Sequence, residues 1–147
     1  MKTFRSVLVA LALLCAPVVA SAQMTVQAVA VTTDGSGNAT VYSPQTFGVV
    51  VAVRYVPASA SPLASSATLT ITDNATGLQV LAVSTLGSLS RDFWPRAFTM
   101  NTTGTAATYD GTRAVLDLVP VAGALKVVVA SGGATTSGTV YIYVQGR

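Results

Sequence analysis

Apolar and polar residues alternate along most of the chain after residue 22. In residues 68–72 the threonines fall on one side and Leu69 and Ile71 on the other, and residues 139–144 repeat the pattern with tyrosines opposite aliphatic residues. A period of two is typical of half-buried β-strands, and the abundant valine and threonine favour pleated strands. Because no segment shows sustained helical periodicity, the pattern predicts an all-β chain.

Turn-forming residues divide this pattern into nine predicted strands. The clearest hairpin turns are residues 34–38 (Asp-Gly-Ser-Gly-Asn) and 73–77 (Asp-Asn-Ala-Thr-Gly), and residues 57–62 and 101–112 are predicted loops. Short strands at this spacing predict one domain, residues 23–147, with an antiparallel β-sandwich fold, Ig-like or jelly-roll-like, of about eight to nine strands. The strands are expected at residues 25–32, 38–43, 48–56, 67–73, 78–84, 91–99, 113–119, 124–131 and 138–145.

The predicted core consists of aliphatic side chains on the inward faces of these strands. In residues 113–118, for example, Leu116 and Leu118 share one face, and the charged residues Arg113 and Asp117 oppose them. Strands of this kind bury one face and expose the other. The residues expected to be buried are Val51, Val53, Leu69, Ile71, Leu116, Val127, Val129 and Ile142.

Residues 1–22 have the pattern of a secretory signal peptide. Two basic residues precede an apolar run, residues 7–16, and residues 20–22 (Ala-Ser-Ala) form a small-x-small cleavage site. The run is shorter than the roughly 20 residues that a membrane span needs. Cleavage before Gln23 is therefore favoured over an uncleaved anchor and over a lipoprotein at Cys15. The sequence predicts export to the periplasm or the extracellular space, with no stable membrane span after cleavage.

The residue types that carry most acid–base catalysis are missing. The chain has no histidine and no glutamate, so Ser/His/Asp and Cys/His arrangements are excluded, and histidine is the usual catalyst near neutral pH. A glycosidase with two aspartates would need a poised pair, and nothing in the sequence selects one. We expect no enzyme, no catalytic residues, no cofactor and no metal. The five carboxylates are Asp34, Asp73, Asp92, Asp110 and Asp117.

Two further binding classes are disfavoured. Residues 34–38 place oxygen ligands at alternate positions, as a calcium loop does, but such a loop also needs a glutamate at its twelfth position. A hairpin turn explains the same residues without metal. After removal of the predicted signal peptide, six basic residues face five aspartates. This balance, without a basic cluster, gives no basis for binding nucleic acid.

A candidate interaction patch consists of Trp94, Arg96, Tyr141 and Tyr143. Trp94 is the only tryptophan, and tryptophan with arginine is typical of interface hot spots. The alternative is a core tryptophan covered by a stacked arginine. Because tryptophan is usually largely buried, we expect Trp94 in the core and Arg96 at the surface. Tyr141 and Tyr143 share a strand face and could line a binding surface or cover a sheet edge.

Several short segments follow one another in order along the chain: residues 38–42, 54–55, 69–72, 75–77, 95–96, 104–109, 125–133 and 137–139. This ordered set resembles a family of small all-β proteins encoded among the structural genes of tailed bacteriophages and prophages. The resemblance covers most of residues 23–147 and implies a virion or phage-assembly component that packs against other subunits, including its own copies. The secretory leader departs from that pattern and favours the alternative, an exported binding, adhesion or surface-layer β-sandwich module.

Overall fold

The computed structural model describes residues 23–146, so the predicted signal peptide lies outside the described residues. Within this range the chain is all-β, as predicted, and no helix is long and apolar enough to cross a membrane. The described residues form nine strands: β1 (Met24–Thr32), β2 (Ala39–Pro57), β3 (Thr68–Asp73), β4 (Gln79–Val83), β5 (Arg91–Phe93), β6 (Ala97–Phe98), β7 (Leu116–Asp117), β8 (Val119–Ala130) and β9 (Ser137–Gln145).

Seven of these strands form one antiparallel sheet, in the order β1-β9-β2-β8-β3-β4, with β5 also paired to β2. The two short strands β6 and β7 pair with each other in a second sheet. Both predicted turns form: the Gly37 N–H donates to Asp34 O (3.1 Å), and the Gly77 N–H donates to Asp73 O (2.8 Å). The second is a hairpin turn, as predicted, because it connects the paired strands β3 and β4. The first connects β1 to β2, which are separated by β9 in the sheet, so the prediction of a hairpin there is wrong.

Strand β2 is long because it serves two partners in succession. Residues 39–50 pair with β8, and residues 49–57 pair with β9. The change of partner occurs at residues 49–50, directly after Gly48. The φ of Gly48 is +143°, and a Cβ there would collide with the carbonyl oxygen of Gln145. The sequence predicted two separate strands here, and the structure joins them through this bend. Strands that pass from one set of partners to another do so at bends and bulges.

A single core collects side chains from both sets of partners. Buried residues come from β1, β2, β3, β4, β8 and β9 and form one contiguous cluster. Six of the predicted core residues are buried in it: Val53, Leu69, Ile71, Val127, Val129 and Ile142. Val51 is only half-buried, because it is the extra residue where the β2–β9 register shifts. The prediction that Leu116 is buried is wrong, since it is 53% exposed on β7.

The segment from residue 94 to residue 118, called the arm below, departs most from the sequence prediction. The predicted strand 91–99 is interrupted after Phe93, where Pro95 cannot donate a ladder hydrogen bond. The predicted strand 113–119 is reduced to Leu116–Asp117, and β8 begins at Val119. The arm contains β6, β7 and two tight turns.

Three extended segments of the arm meet in a closed ring of backbone hydrogen bonds. The Thr99 N–H donates to Val115 O (3.0 Å), the Val115 N–H donates to Ala107 O (2.9 Å), and the Ala107 N–H donates to Thr99 O (2.7 Å). The three residues are eight positions apart in sequence. The two intervening turns are alike, since a side-chain oxygen of Asn101 or Asp110 accepts two backbone N–H groups in each.

Candidate interaction surface

Tyr141 and Tyr143 lie on the outward face of β9, the strand next to the edge strand β1. Each is half-buried, and the residues that alternate with them, Val140, Ile142 and Val144, are fully buried in the core. Because β9 is flanked by β1 and β2, the tyrosines lie within a sheet face and do not cover a sheet edge. Of the two interpretations drawn from the sequence, the structure supports the exposed-face position.

Strand pairing places two rows of side chains across this face. In the first row, Tyr141 is opposite Ala28 of β1 and Arg54 of β2. Arg54 is in turn opposite Asp92 of β5, with 3.7 Å between Arg54 Nε and Asp92 Oδ1. Both charged side chains are about half exposed, so this ion pair orients Arg54 but contributes little to stability.

The second row contains the other tyrosine. Tyr143 is opposite Val26 of β1 and Ala52 of β2. The residues of the two rows, with Trp94, are called the outer aromatic face below. They are Val26, Ala28, Ala52, Arg54, Asp92, Trp94, Tyr141 and Tyr143.

Trp94 is exposed, which contradicts the prediction that it belongs to the core. Its side chain is 65% exposed. The preceding residue, Phe93, takes the inward position opposite Val53 and packs against the core. Trp94 follows β5 directly, so this exposed side chain lies at the end of the strand that pairs with the second half of β2.

Arg96 is exposed, as predicted. Its Nη1 donates to the carbonyl oxygen of Pro95 (2.8 Å) and, more weakly, to that of Val51 (3.5 Å). Val51 is the bulged residue of β2, so Arg96 holds the start of the arm against the bulge. The structure therefore places Tyr141 and Tyr143 on one outer sheet face, Trp94 at the exposed end of β5 and Arg96 beside the β2 bulge.

The sequence analysis missed a second set of exposed apolar side chains, on the arm. Each of them is more than half exposed, and Phe98 is directly opposite Leu116 in the β6–β7 pair. Neighbouring exposed apolar side chains of this kind mark interaction surfaces. The sequence assigned Phe98 and Leu116 to strands and placed Leu116 in the core, so it gave no indication that these two are exposed. The polar, glycine-containing segment 101–112, predicted as a loop, was the available indication that this part of the chain is exposed. The side chains are Phe98, Met100, Tyr109 and Leu116.

Asp73 is a buried carboxylate with a structural role. Its Oδ1 accepts the Ala75 N–H (2.9 Å) and its Oδ2 accepts the Ala122 N–H (2.9 Å). Burial alone would raise the pKa of Asp73, but these backbone donors outweigh it and lower the pKa from its usual value. Asp73 also lines an open depression of about 490 Å³ with Leu78 and Pro120, where its carboxylate is already engaged.

The other four aspartates are engaged in turns or in an ion pair. The Asn38 and Ser36 N–H groups lower the pKa of Asp34, and the Arg113 and Thr112 N–H groups lower the pKa of Asp110. A general acid needs a raised pKa, and the shifts here have the opposite sign. The remaining contacts are Asp92 with Arg54 and Asp117 Oδ1 with the Leu118 N–H (2.7 Å).

Among residues 23–146 no group of three or more His, Cys, Asp or Glu side chains is placed to hold a metal ion. Comparisons with protein-family models, with curated proteins and with solved structures found no match.

Proposed function

We propose that this chain is a non-enzymatic structural protein that binds other protein subunits, as a virion or assembly component of the tailed-bacteriophage type. The observation that carries the proposal is the exposure of aromatic and apolar side chains on two firmly held surfaces, the outer aromatic face and the arm. Tryptophan, tyrosine and arginine are enriched among residues that dominate protein–protein binding. The lowered pKa values of Asp34, Asp73 and Asp110 argue in the same direction.

We also propose that the seven-stranded sheet folds over itself as a β-sandwich. In this arrangement β1, β9, the second half of β2 and β5 form one layer. The first half of β2, β8, β3 and β4 form the other. The change of partners at Gly48 and the common core from both sets of strands support it. The topology leaves both Ig-like and jelly-roll-like arrangements open.

Mass spectrometry of purified particle fractions tests the structural function. The chain is expected to co-purify with phage or prophage particles at a constant ratio to other structural proteins. Absence from every particle fraction, with abundance in the free periplasmic or culture fluid, would contradict the proposal. Neighbouring portal or tail genes would support it independently.

The secretory leader favours a second candidate, an exported binding or adhesion module. The pattern of residues 1–22 carries this alternative, because signal peptides direct export. N-terminal sequencing of the protein from cells separates the two candidates. A start at Gln23 in the periplasmic or secreted fraction supports export, whereas Met1 retained on an assembled particle supports the virion function.

A further inference from the structure

Strand β1 is an edge strand with one open side. It pairs with β9, and within residues 23–146 no strand pairs with its other side. The Gly146 N–H donates to Gln23 O (3.0 Å) and the Thr33 N–H donates to Thr136 O (2.9 Å). In an antiparallel ladder, neighbouring residues direct their backbone groups to opposite sides. The odd-numbered residues of β1 therefore face β9, and the even-numbered residues direct N–H and C=O groups outward.

The other edges in the described part of the chain carry features that hinder strand addition. β5 has three residues and includes the charged Arg91 and Asp92, and β4 has five residues. The first half of β2 is interrupted by Pro44 within a register shift. Short strands, charges, prolines and bulges are the usual means of blocking an edge. β1 has nine residues and contains none of these features.

We propose that β1 pairs with β1 of a second copy of this chain, antiparallel about a two-fold axis. This inference rests on the proposed structural function and names the surface and the partner. With Ala28 on the axis, Val26 lies opposite Ala30 and Met24 opposite Thr32, so each larger side chain meets a smaller one. This register engages all five outward-facing residues of each β1 and forms about ten hydrogen bonds.

Charge and burial favour a second copy as the occupant. No charged residue occurs from Gln23 to Thr33, so two β1 strands meet without like-charge repulsion, which would otherwise oppose self-pairing. Met24 and Val26 are 55% and 50% exposed, and both lie on the face that pairing extends. An isologous contact of this type closes as a dimer. The outer aromatic faces of the two copies then form one continuous surface.

Sedimentation equilibrium of the purified chain, with its N-terminus defined by mass spectrometry, tests the proposal. The unmodified chain is expected to be dimeric at micromolar concentrations. Ala28→Lys and Ala28→Glu each place like charges directly opposite each other on the axis and should weaken dimerisation at least tenfold. An equimolar mixture of the two variants should restore the dimer, because opposite charges then meet.

Ala82→Lys is the matched control, since Ala82 is an exposed alanine on the edge strand β4, and it should leave dimerisation unchanged. Thermal melts establish that every variant is folded. A dimer that persists in Ala28→Lys would overturn β1 pairing while supporting association through another surface. A chain that stays monomeric at 100-fold higher concentration would overturn self-pairing and leave this edge to a strand of a different protein. Mass spectrometry of particle fractions would then decide separately whether the proposed structural function holds.

Discussion

Asp73 connects two parts of the sheet through one carboxylate. One oxygen accepts a hydrogen bond from the β3–β4 turn and the other from β8, and the side chain is almost fully buried. Hydrogen bonds to a charged acceptor are stronger than those between neutral groups. The turn is therefore attached to a strand that is distant in sequence, which the turn motif alone does not indicate.

Replacing Asp73 should destabilise the fold in a way that depends on pH. Asp73→Asn leaves one of the two backbone N–H groups facing an amide donor, and the expected loss is about 2–3 kcal/mol at pH 7. Because the folded-state pKa is lowered, the stabilisation is complete above the unfolded-state value of about 3.9 and disappears as pH falls through the folded-state value.

Urea unfolding at several pH values measures this effect. The difference in unfolding free energy between the original chain and Asp73→Asn should be constant from pH 7 to pH 5 and shrink below pH 4. A difference that grows as the pH falls would contradict the assignment.

Tyr55 is fully buried, and its ring lies against Gly138, where an added Cβ would approach Tyr55 Cε2 to 2.6 Å. Burial raises the pKa of Tyr55, and the Leu63 backbone counteracts this in part. Even so, within residues 23–146 the hydroxyl has no hydrogen bond of standard geometry. A buried hydroxyl without a partner lowers stability.

Tyr55→Phe is therefore expected to keep or raise the unfolding free energy, by up to about 1 kcal/mol. Calorimetry of this variant beside Tyr141→Phe, at a half-exposed position with an expected change within about 0.5 kcal/mol, provides the comparison. A loss of more than 1 kcal/mol in Tyr55→Phe would show that the hydroxyl is bonded in solution.

The exposure of Trp94 leads to a different expectation from a core tryptophan. Trp94→Ala should change the unfolding free energy by less than about 1 kcal/mol, because little packing is lost. Leu69→Ala, in the core, should cost about 2–5 kcal/mol. If the outer aromatic face binds other subunits, the Trp94 variant should also be depleted from particle fractions. A Trp94→Ala loss near that of Leu69→Ala would contradict the exposed position.

Strand β2 depends on Gly48 to change partners. Gly48→Ala forces a Cβ against the Gln145 carbonyl at a φ that L-residues rarely adopt, and we expect a loss of about 2–4 kcal/mol. Gly35→Ala is the control, because a Cβ there meets nothing within 4 Å, and should stay within about 0.5 kcal/mol. Equal thermal midpoints for the two variants would show that the bend tolerates a side chain.

The regular strands were predictable and the irregular ones were not. Alternation gave β1, β3, β4 and β9 to within one residue at each end, because one face of each is buried and the other is exposed. The prediction from alternation failed in the arm, where backbone hydrogen bonds within the arm hold the chain and the alternating apolar side chains do not face the core. It also divided β2 at residues 44–47, since the sequence does not reveal that the chain continues extended through this stretch.

The interaction surface was predictable in part. Tyr141 and Tyr143 were assigned to a common face from the sequence, and the structure adds an exposed Trp94 at the end of β5. Neither the pairing of β5 with β2 nor the bulge at Val51 can be derived from local pattern, because both depend on contacts between distant segments. The open edge of β1 likewise becomes visible only when the order of strands in the sheet is known.

The position of β1 in the sheet determines when the domain can be completed during synthesis. Its partner β9 is supplied by residues far along the chain, and the Thr25–Val144 hydrogen bond spans 119 residues. Closing so large a loop is entropically costly, and folds dominated by distant pairings form slowly. The ladder cannot form until β9 has left the ribosome. Until then β1 has no partner on either side, and unpaired strand edges promote aggregation.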